Sequence, residues 1–272
     1  MPELPEVETI RISLEPKLTG RTITGVSIEL PKMIQNPAPE ELESLLRGRT
    51  ITGVDRRGKY LLIRLEGEST LAIHLRMTGQ LTVEDADFPP GKATYFKVHL
   101  DNDTELRFND QRKFGKVFYF DSKEIPASLS RLGPEPLSDE FTPERLKQIF
   151  ARHQLAVKKA LLNQEMIAGI GNIYADEALF LAGLHPARLV NSLTDAELEA
   201  LCHAIRQVLT ESIRHRGTTK RDYRDGEGQP GSHQDYLRVY GRKGEPCTVC
   251  GAPIAKMMFG GRGTHFCPIC QG

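Results

Sequence analysis

The residues able to do chemistry lie mostly near the two ends of a 272-residue chain. Met1 precedes Pro2, a small residue that permits removal of the initiator Met, so the mature chain is expected to begin with proline. Such a terminus is a secondary amine with a pKa of about 8, against about 10.4 for lysine. Its neutral form attacks electrophilic sugar or carbonyl carbons. Glu3 and Glu6 follow it, in or at the edge of an apolar helical stripe where carboxylates are scarce unless they cap the helix or do chemistry. The alternative is structural: Pro2 and Pro5 in a first helical turn, with acids complementing the helix dipole. At the far end, Cys247, Cys250, Cys267 and Cys270 follow C-x2-C-x16-C-x2-C. Two thiolate knuckles at this spacing predict one closed, structural Zn2+ site; a catalytic metal would need an open position, for which His265 is the nearby spare ligand. Between the knuckles, Arg262 is flanked by glycines. Spacing alone fits both a phosphate-directed fork and a solvated turn arginine. Gly169-Ile170-Gly171-Asn172 joins two helical stretches and suits either an ordinary turn or a phosphate at a helix N-terminus.

These groups need elements to hold them. Val7, Ile10, Leu14 and Leu18 recur at helical spacing, predicting a first helix over most of Glu3 to Leu18 with Glu3 inside the apolar stripe. Strand-like stretches follow at 21–30, 49–65, 70–83, 95–100, 105–109 and 116–120, with Asp101-Asn102-Asp103 as a turn. The heptapeptide Gly-Arg-Thr-Ile-Thr-Gly-Val occurs twice, at Gly20–Val26 and Gly48–Val54, suggesting two equivalent strand starts. Helical patterning begins beyond a linker, at 143–152, 156–164, 173–182 and 195–215, with Thr194 and Glu197 as a capping box. Cys202 falls on the apolar stripe of the last helix and reads as core. The expected fold is α+β: an N-terminal helix plus an antiparallel β-sandwich or barrel (1–130), a linker (131–140), a helical domain (141–237) and a zinc ribbon (238–272).

The net charge is zero, which by itself argues against a nucleic-acid partner, but residues 212–272 carry 10 basic against 5 acidic groups. A basic segment of this kind supplies an electrostatic footprint for polyanions. The start has neither the basic flank nor the apolar core of a secretory leader, and no apolar run is long enough to span a bilayer.

Taken in order, the motifs resemble the formamidopyrimidine-DNA glycosylase (MutM) family over nearly the whole chain. They are Pro2-Glu3-Leu4-Pro5-Glu6-Val7-Glu8-Thr9, Arg56-Arg57-Gly58-Lys59, His74-Leu75-Arg76-Met77-Thr78-Gly79, Asp110-Gln111-Arg112-Lys113-Phe114-Gly115, Gly169–Ala175 and the glycine-flanked Arg262. The resemblance implies excision of oxidised purines from double-stranded DNA through a Schiff base at Pro2, then β,δ-elimination. It assigns Glu3 as acid, Glu6 as support, and Lys59 and Arg262 to lesion phosphates and proton transfer. It implies that Met77, Arg112 and Phe114 fill the gap left by an extruded base, Arg112 bonding the orphaned cytosine. Lys158 and Asn172 would grip the DNA backbone from a helix–two-turn–helix module. Arg152, as a lesser phosphate candidate, and Tyr240 are added to the expected DNA set; His74, pointing away from the face of Leu71, Ile73 and Leu75, is read either as a DNA contact or as merely exposed, and Gly217–Gly231 would be a mobile cover for the extruded base. One departure is visible: Lys92-Ala93-Thr94-Tyr95 stands where the family commonly has histidines, leaving that contact to Lys92 or Tyr95 or to nothing. On this resemblance a monomer in a bacterial-type cytoplasm, acting without a membrane, is expected. Two rivals share parts of the pattern, an oxidised-pyrimidine enzyme of the endonuclease VIII type and a non-catalytic zinc-ribbon DNA-binding protein.

Overall fold

The computed structural model describes all of residues 1–272. Its contacts divide the chain into two compact units, Met1–Ser130 with His215–Ser232, and Arg131–Arg214 with His233–Gly272. No helix is long and apolar enough to cross a membrane.

The first unit opens with helix α1 (Leu4–Leu18), whose Leu4, Val7, Ile10, Leu14 and Leu18 are all fully buried. Burying one such side chain contributes about 1.5–3 kcal/mol, so this stripe fixes the helix to the sandwich. The rest of the unit runs β1 (Ile23–Ile28), β2 (Ile34–Asn36), α2 (Pro39–Leu46), β3 (Ile51–Arg57), β4 (Tyr60–Leu65), β5 (Ser69–His74), β6 (Gly79–Asp85), β7 (Thr94–Leu100), β8 (Thr104–Asp110), β9 (Lys116–Asp121) and α3 (Ala127–Ser130). Two sheets form, in orders β1-β7-β8-β6 and β2-β9-β5-β4-β3. Every pairing is antiparallel except the short β2–β9 pair.

Two expected strands divide. Residues 49–65 form a β3–β4 hairpin turning at Gly58, whose φ is +56°. Residues 70–83 become β5 and β6, which lie in different sheets. The crossing between them carries Arg76 at φ +56°. Helix α2 has no counterpart in the sequence reading, although Pro39 followed by Glu40 and Glu41 is a helix start.

The duplicated heptapeptide has a structural meaning. Each copy follows a helix, and Gly20 and Gly48 adopt φ +83° and +80°. The copies then bond each other reciprocally: Gly20 N–H to Ile51 O and Gly48 N–H to Ile23 O, both 2.8 Å. Both strands bulge at the same place, between Ile23 and Gly25 and between Ile51 and Gly53. Opposite Gly25, His99 reaches diagonally to Ser27 Oγ (2.8 Å) and backs onto Glu105 (2.9 Å). Opposite Gly53, Arg64 makes the equivalent diagonal to Asp55 (2.8 Å). An ion pair serves the same place in the second copy, so the hydroxyl–imidazole–carboxylate chain of the first is a strand tie.

The second unit contains α4 (Pro143–Phe150), α5 (Val157–Leu162), α6 (Asn172–Leu181), α7 (Asp195–Arg214) and the hairpin β10 (Ala255–Phe259)–β11 (Arg262–Phe266). Thr142 caps α4, its hydroxyl accepting from Arg145 N–H. Glu197 and Thr194 form the expected capping box on α7. Cys202 is buried, its thiol directed at Phe141 O. The contacts group the chain differently from boundaries at 130, 140 and 237. Residues 215–232 join the first unit because α1 bonds them, and the cysteine module joins the helices because α6 bonds it.

Candidate active site

At the N-terminus, Met1 is half exposed while Pro2, Glu3 and Glu6 are buried. Glu6 uses both carboxylate oxygens. Oε2 accepts the Glu3 N–H (2.8 Å), completing the turn that carries Pro2, and Oε1 accepts the Thr218 N–H (2.7 Å). The Tyr223 hydroxyl donates to Glu6 O at 3.4 Å, and burial pushes that phenol's pKa up. Gly217 sits at φ +81°, where a Cβ would lie 3.0 Å from the Glu6 side chain. Gly226 N–H donates to Ser13 Oγ, and Arg216 pairs with the buried Asp225 at 2.5 Å. The 217–231 segment, expected to be loose, is therefore tied to α1 at several points.

Lys59 follows the turn glycine between β3 and β4 and is buried. Its charge is felt at His74, whose pKa is pushed down to about 3, first by burial and then by Arg76 and Lys59. Strand alternation points His74 to an exposed face. It is buried instead, flanked by its cross-strand neighbours Tyr60 and Lys116, and its ring meets the Tyr60 edge at 4.6 Å. Its Nδ1 accepts the Arg76 N–H (3.0 Å), so the neutral ring carries its proton on Nε2.

Met77 from one segment and Arg112 and Phe114 from another come together. Met77 and Phe114 are 44% and 50% exposed, unusual for large apolar side chains. Arg112 Nη1 lies 3.0 Å from Met77 Sδ, and its guanidinium stands over the Phe114 ring at 4.9 Å. Beside them is a concavity whose charged lining is Lys92, Arg221 and Arg224 with Asp110 and Asp222. Lys92 thus lines this mixed-charge hollow, whereas Tyr95 is covered by Lys113 Nζ at 5.0 Å from its ring.

In the second unit, Lys158 departs most from expectation. Rather than facing outward toward a DNA backbone, it is wholly buried, with Nζ 2.5 Å from Asp176 Oδ1 and 2.7 Å from Thr264 Oγ1. Asp176 also accepts the His265 N–H (2.9 Å), and Asn172 Nδ2 donates to Gly263 O (2.9 Å). One N–H of the Asn172 amide is thereby engaged within the protein. Lys158, Asn172 and Asp176 form a platform under β11. Glu177, also buried, accepts the N–H groups of Arg238, Val239 and Tyr240 at 2.8–2.9 Å; burial pushes its pKa up against those bonds. Tyr240 is half buried, its ring 5.1 Å from His265. Sequence reasoning misses Asp176 and Glu177, although two acids inside the apolar stretch Ile173–Leu181 are a visible mismatch. Arg262 is exposed at the hairpin tip beyond Gly260 and Gly261, whose φ values of +57° and +74° make the two-residue turn. Arg152 is exposed after α4.

The four cysteine sulfurs lie within 4.8 Å of one another, with Cys247–Cys270 at 3.8 Å and Cys250–Cys267 at 3.4 Å. Zinc–thiolate bonds of about 2.3 Å in a tetrahedron require sulfurs about 3.8 Å apart, so the set fits one structural zinc ion. Bound there, the metal fixes the knuckles from which the β10–β11 hairpin projects.

Three family models match the chain: the formamidopyrimidine-DNA glycosylase N-terminal domain over residues 1–117, its H2TH domain over 132–223, and the zinc finger found in FPG and IleRS over 244–272. Formamidopyrimidine-DNA glycosylase of Herpetosiphon aurantiacus is 49% identical over 272 residues, covering both chains in full. That of Symbiobacterium thermophilum is 50% identical, covering all of this chain and 89% of the relative. Among solved structures, a Lactococcus lactis FPG mutant in complex with Fapy-dG-containing DNA aligns with a TM-score of 0.93 at 37% identity, covering 99% of each chain. MutM (Fpg) from Thermus thermophilus aligns with a TM-score of 0.90 at 43% identity, covering 100% of this chain and 99% of that one. With its N-terminal, helical and zinc-finger parts all matched, the chain belongs to the formamidopyrimidine-DNA glycosylase family.

Proposed function

We propose that this protein removes oxidised purines, 8-oxoguanine and formamidopyrimidines, from double-stranded DNA and then cleaves the resulting site as a lyase. The observation that carries the reading is the buried pair Glu3 and Glu6 at the start of α1, adjoining Pro2. Buried carboxylates are costly unless hydrogen-bonded; Glu6 accepts two N–H groups, and Glu3 shares with it the capping box of α1. Glu3, next to Pro2 in the chain, is the carboxyl group assigned to proton transfer.

Loss of Met1 frees the Pro2 amine. Its lone pair forms a bond to the sugar C1′ of a flipped nucleotide as the bond from C1′ to the base breaks, the departing base taking up the proton that the amine gives up, and Glu3 protonates the ring oxygen as the C1′–O4′ bond opens. The iminium so formed draws electrons from C2′; a proton leaves C2′ and the 3′ phosphate departs. Repetition further along the sugar expels the 5′ phosphate, and hydrolysis returns the amine. Lys59 and Arg262 stabilise the departing phosphates. Met77 and Phe114 wedge into the base gap, and Arg112 bonds the unpaired partner base, because a kinked duplex with one base out requires such fillers. Arg152, Tyr240 and the neutral His74 add contacts along the backbone, and Asn172 and Lys158 act from below β11. The protein works as a monomer in a bacterial cytoplasm.

Cleavage of duplexes carrying 8-oxoguanine or thymine glycol tests the substrate class. Preference for 8-oxoguanine is expected. Preference for thymine glycol would turn the reading to the endonuclease VIII type, and cleavage of neither to a binding protein.

A further inference from the structure

Two loops of the first unit end on one side chain. Asp110, fully buried at the end of β8, accepts the Thr78 hydroxyl (2.5 Å) and the Arg112 N–H (3.2 Å) on Oδ1. Its Oδ2 accepts the N–H groups of Phe114 and Gly115, both at 2.7 Å. The Arg112 N–H also reaches Thr78 Oγ1 at 3.2 Å. A carboxylate has about four lone-pair sites, and here all are engaged by the segments that present Met77, Arg112 and Phe114.

The same ends are closed sterically. A Cβ on Gly79 would lie 2.7 Å from the Phe108 ring, and one on Gly115 would lie closer still to the same ring. Lys113 holds φ +59°, a left-handed conformation that a lysine keeps only when its surroundings impose it. Both loops therefore leave the sheet from fixed points, and the Asp110 network determines their path beyond.

We propose that Asp110, acting with Thr78, is the positioning residue for the Met77–Arg112–Phe114 group and thereby sets discrimination of the base opposite the lesion. This rests on the reading that those three side chains fill the gap. Neither Asp110 nor Thr78 touches the base. They keep the Arg112 guanidinium where its hydrogen bonds distinguish cytosine from adenine, and a wandering guanidinium would accept either.

The test uses the full, zinc-loaded chain with Met1 removed. The readout is the ratio of kcat/KM on 8-oxoguanine paired with cytosine to that paired with adenine. Thr78→Val and Asp110→Asn are each expected to lower the ratio roughly tenfold, the scale of one lost hydrogen bond to a charged group. Thr78→Ser should restore it. Arg112→Ala serves as reference. If it lowers the ratio while Thr78→Val and Asp110→Asn, both folded by circular dichroism, leave it unchanged, Asp110 has no such role. If Arg112→Ala also leaves it unchanged, the gap-filling reading fails and the proposal with it. Should Asp110→Asn fail to fold, Thr78→Val decides alone.

Discussion

Glu6 and His74 show how single buried polar groups are held in the first unit. Glu6 accepts two backbone N–H bonds, from Glu3 and Thr218. Glu6→Gln keeps one acceptor and turns an amide N–H2 toward the other donor. Chemical denaturation should show a loss of about 1–3 kcal/mol, as for one buried polar group left unsatisfied. His74 has the opposite character: burial, with Arg76 and Lys59 nearby, lowers its pKa to about 3. Between that value and the unfolded value of about 6.5, the unfolded chain binds the extra proton. Stability therefore falls as pH drops through this window and is unaffected by this group above it. His74→Gln should flatten that part of a stability–pH curve measured by thermal melting; an unchanged slope would contradict the assignment. Glu3 is legible in the sequence, on the apolar stripe of α1. The state of His74 is not, because alternation in Leu71–Leu75 does not say whether a strand is covered on one face or both.

At the scale of elements, the β10–β11 hairpin rests on Lys158 and Asp176. Removing one partner of a buried pair strands the other charge, so Lys158→Met should cost about 3–5 kcal/mol by urea unfolding. Two of the expected phosphate cations, Arg262 and Lys158, are separable by salt dependence. Arg262→Ala should reduce the slope of log affinity against log salt by about one, whereas Lys158→Met should leave the slope unchanged when folded. Equal effects would mean that Lys158 reaches DNA after all. The zinc ribbon can be read from cysteine spacing because the metal imposes that spacing. The platform under β11 cannot, since it joins residues some ninety positions apart, Asp176 and His265. Helix α2 escapes the pattern for lack of enough apolar periodicity in eight residues. The hairpin split at Gly58 is hidden because Ile51–Leu65 reads as one β-rich run.

For the whole molecule, zinc and the N-terminal amine are separate requirements. Chelation should remove the fold of the cysteine module and weaken DNA binding, with thermal melting and titration at fixed salt as the measurements. The first unit keeps its own core, running from Val7 to Val117 with Tyr223 packed into it. The duplicated heptapeptide is visible in the sequence, but its reciprocal pairing emerges only once Gly20 and Gly48 are seen turning the chain together. The central claim is that Pro2 is the nucleophile. Borohydride reduction during reaction with an 8-oxoguanine duplex, followed by mapping of the adduct, tests it most directly. Covalent DNA on the Pro2 peptide is predicted, with loss of the adduct where Met1 is retained. No adduct from folded, zinc-loaded protein lacking Met1, or an adduct on a lysine with Pro2 unmodified, would contradict the account.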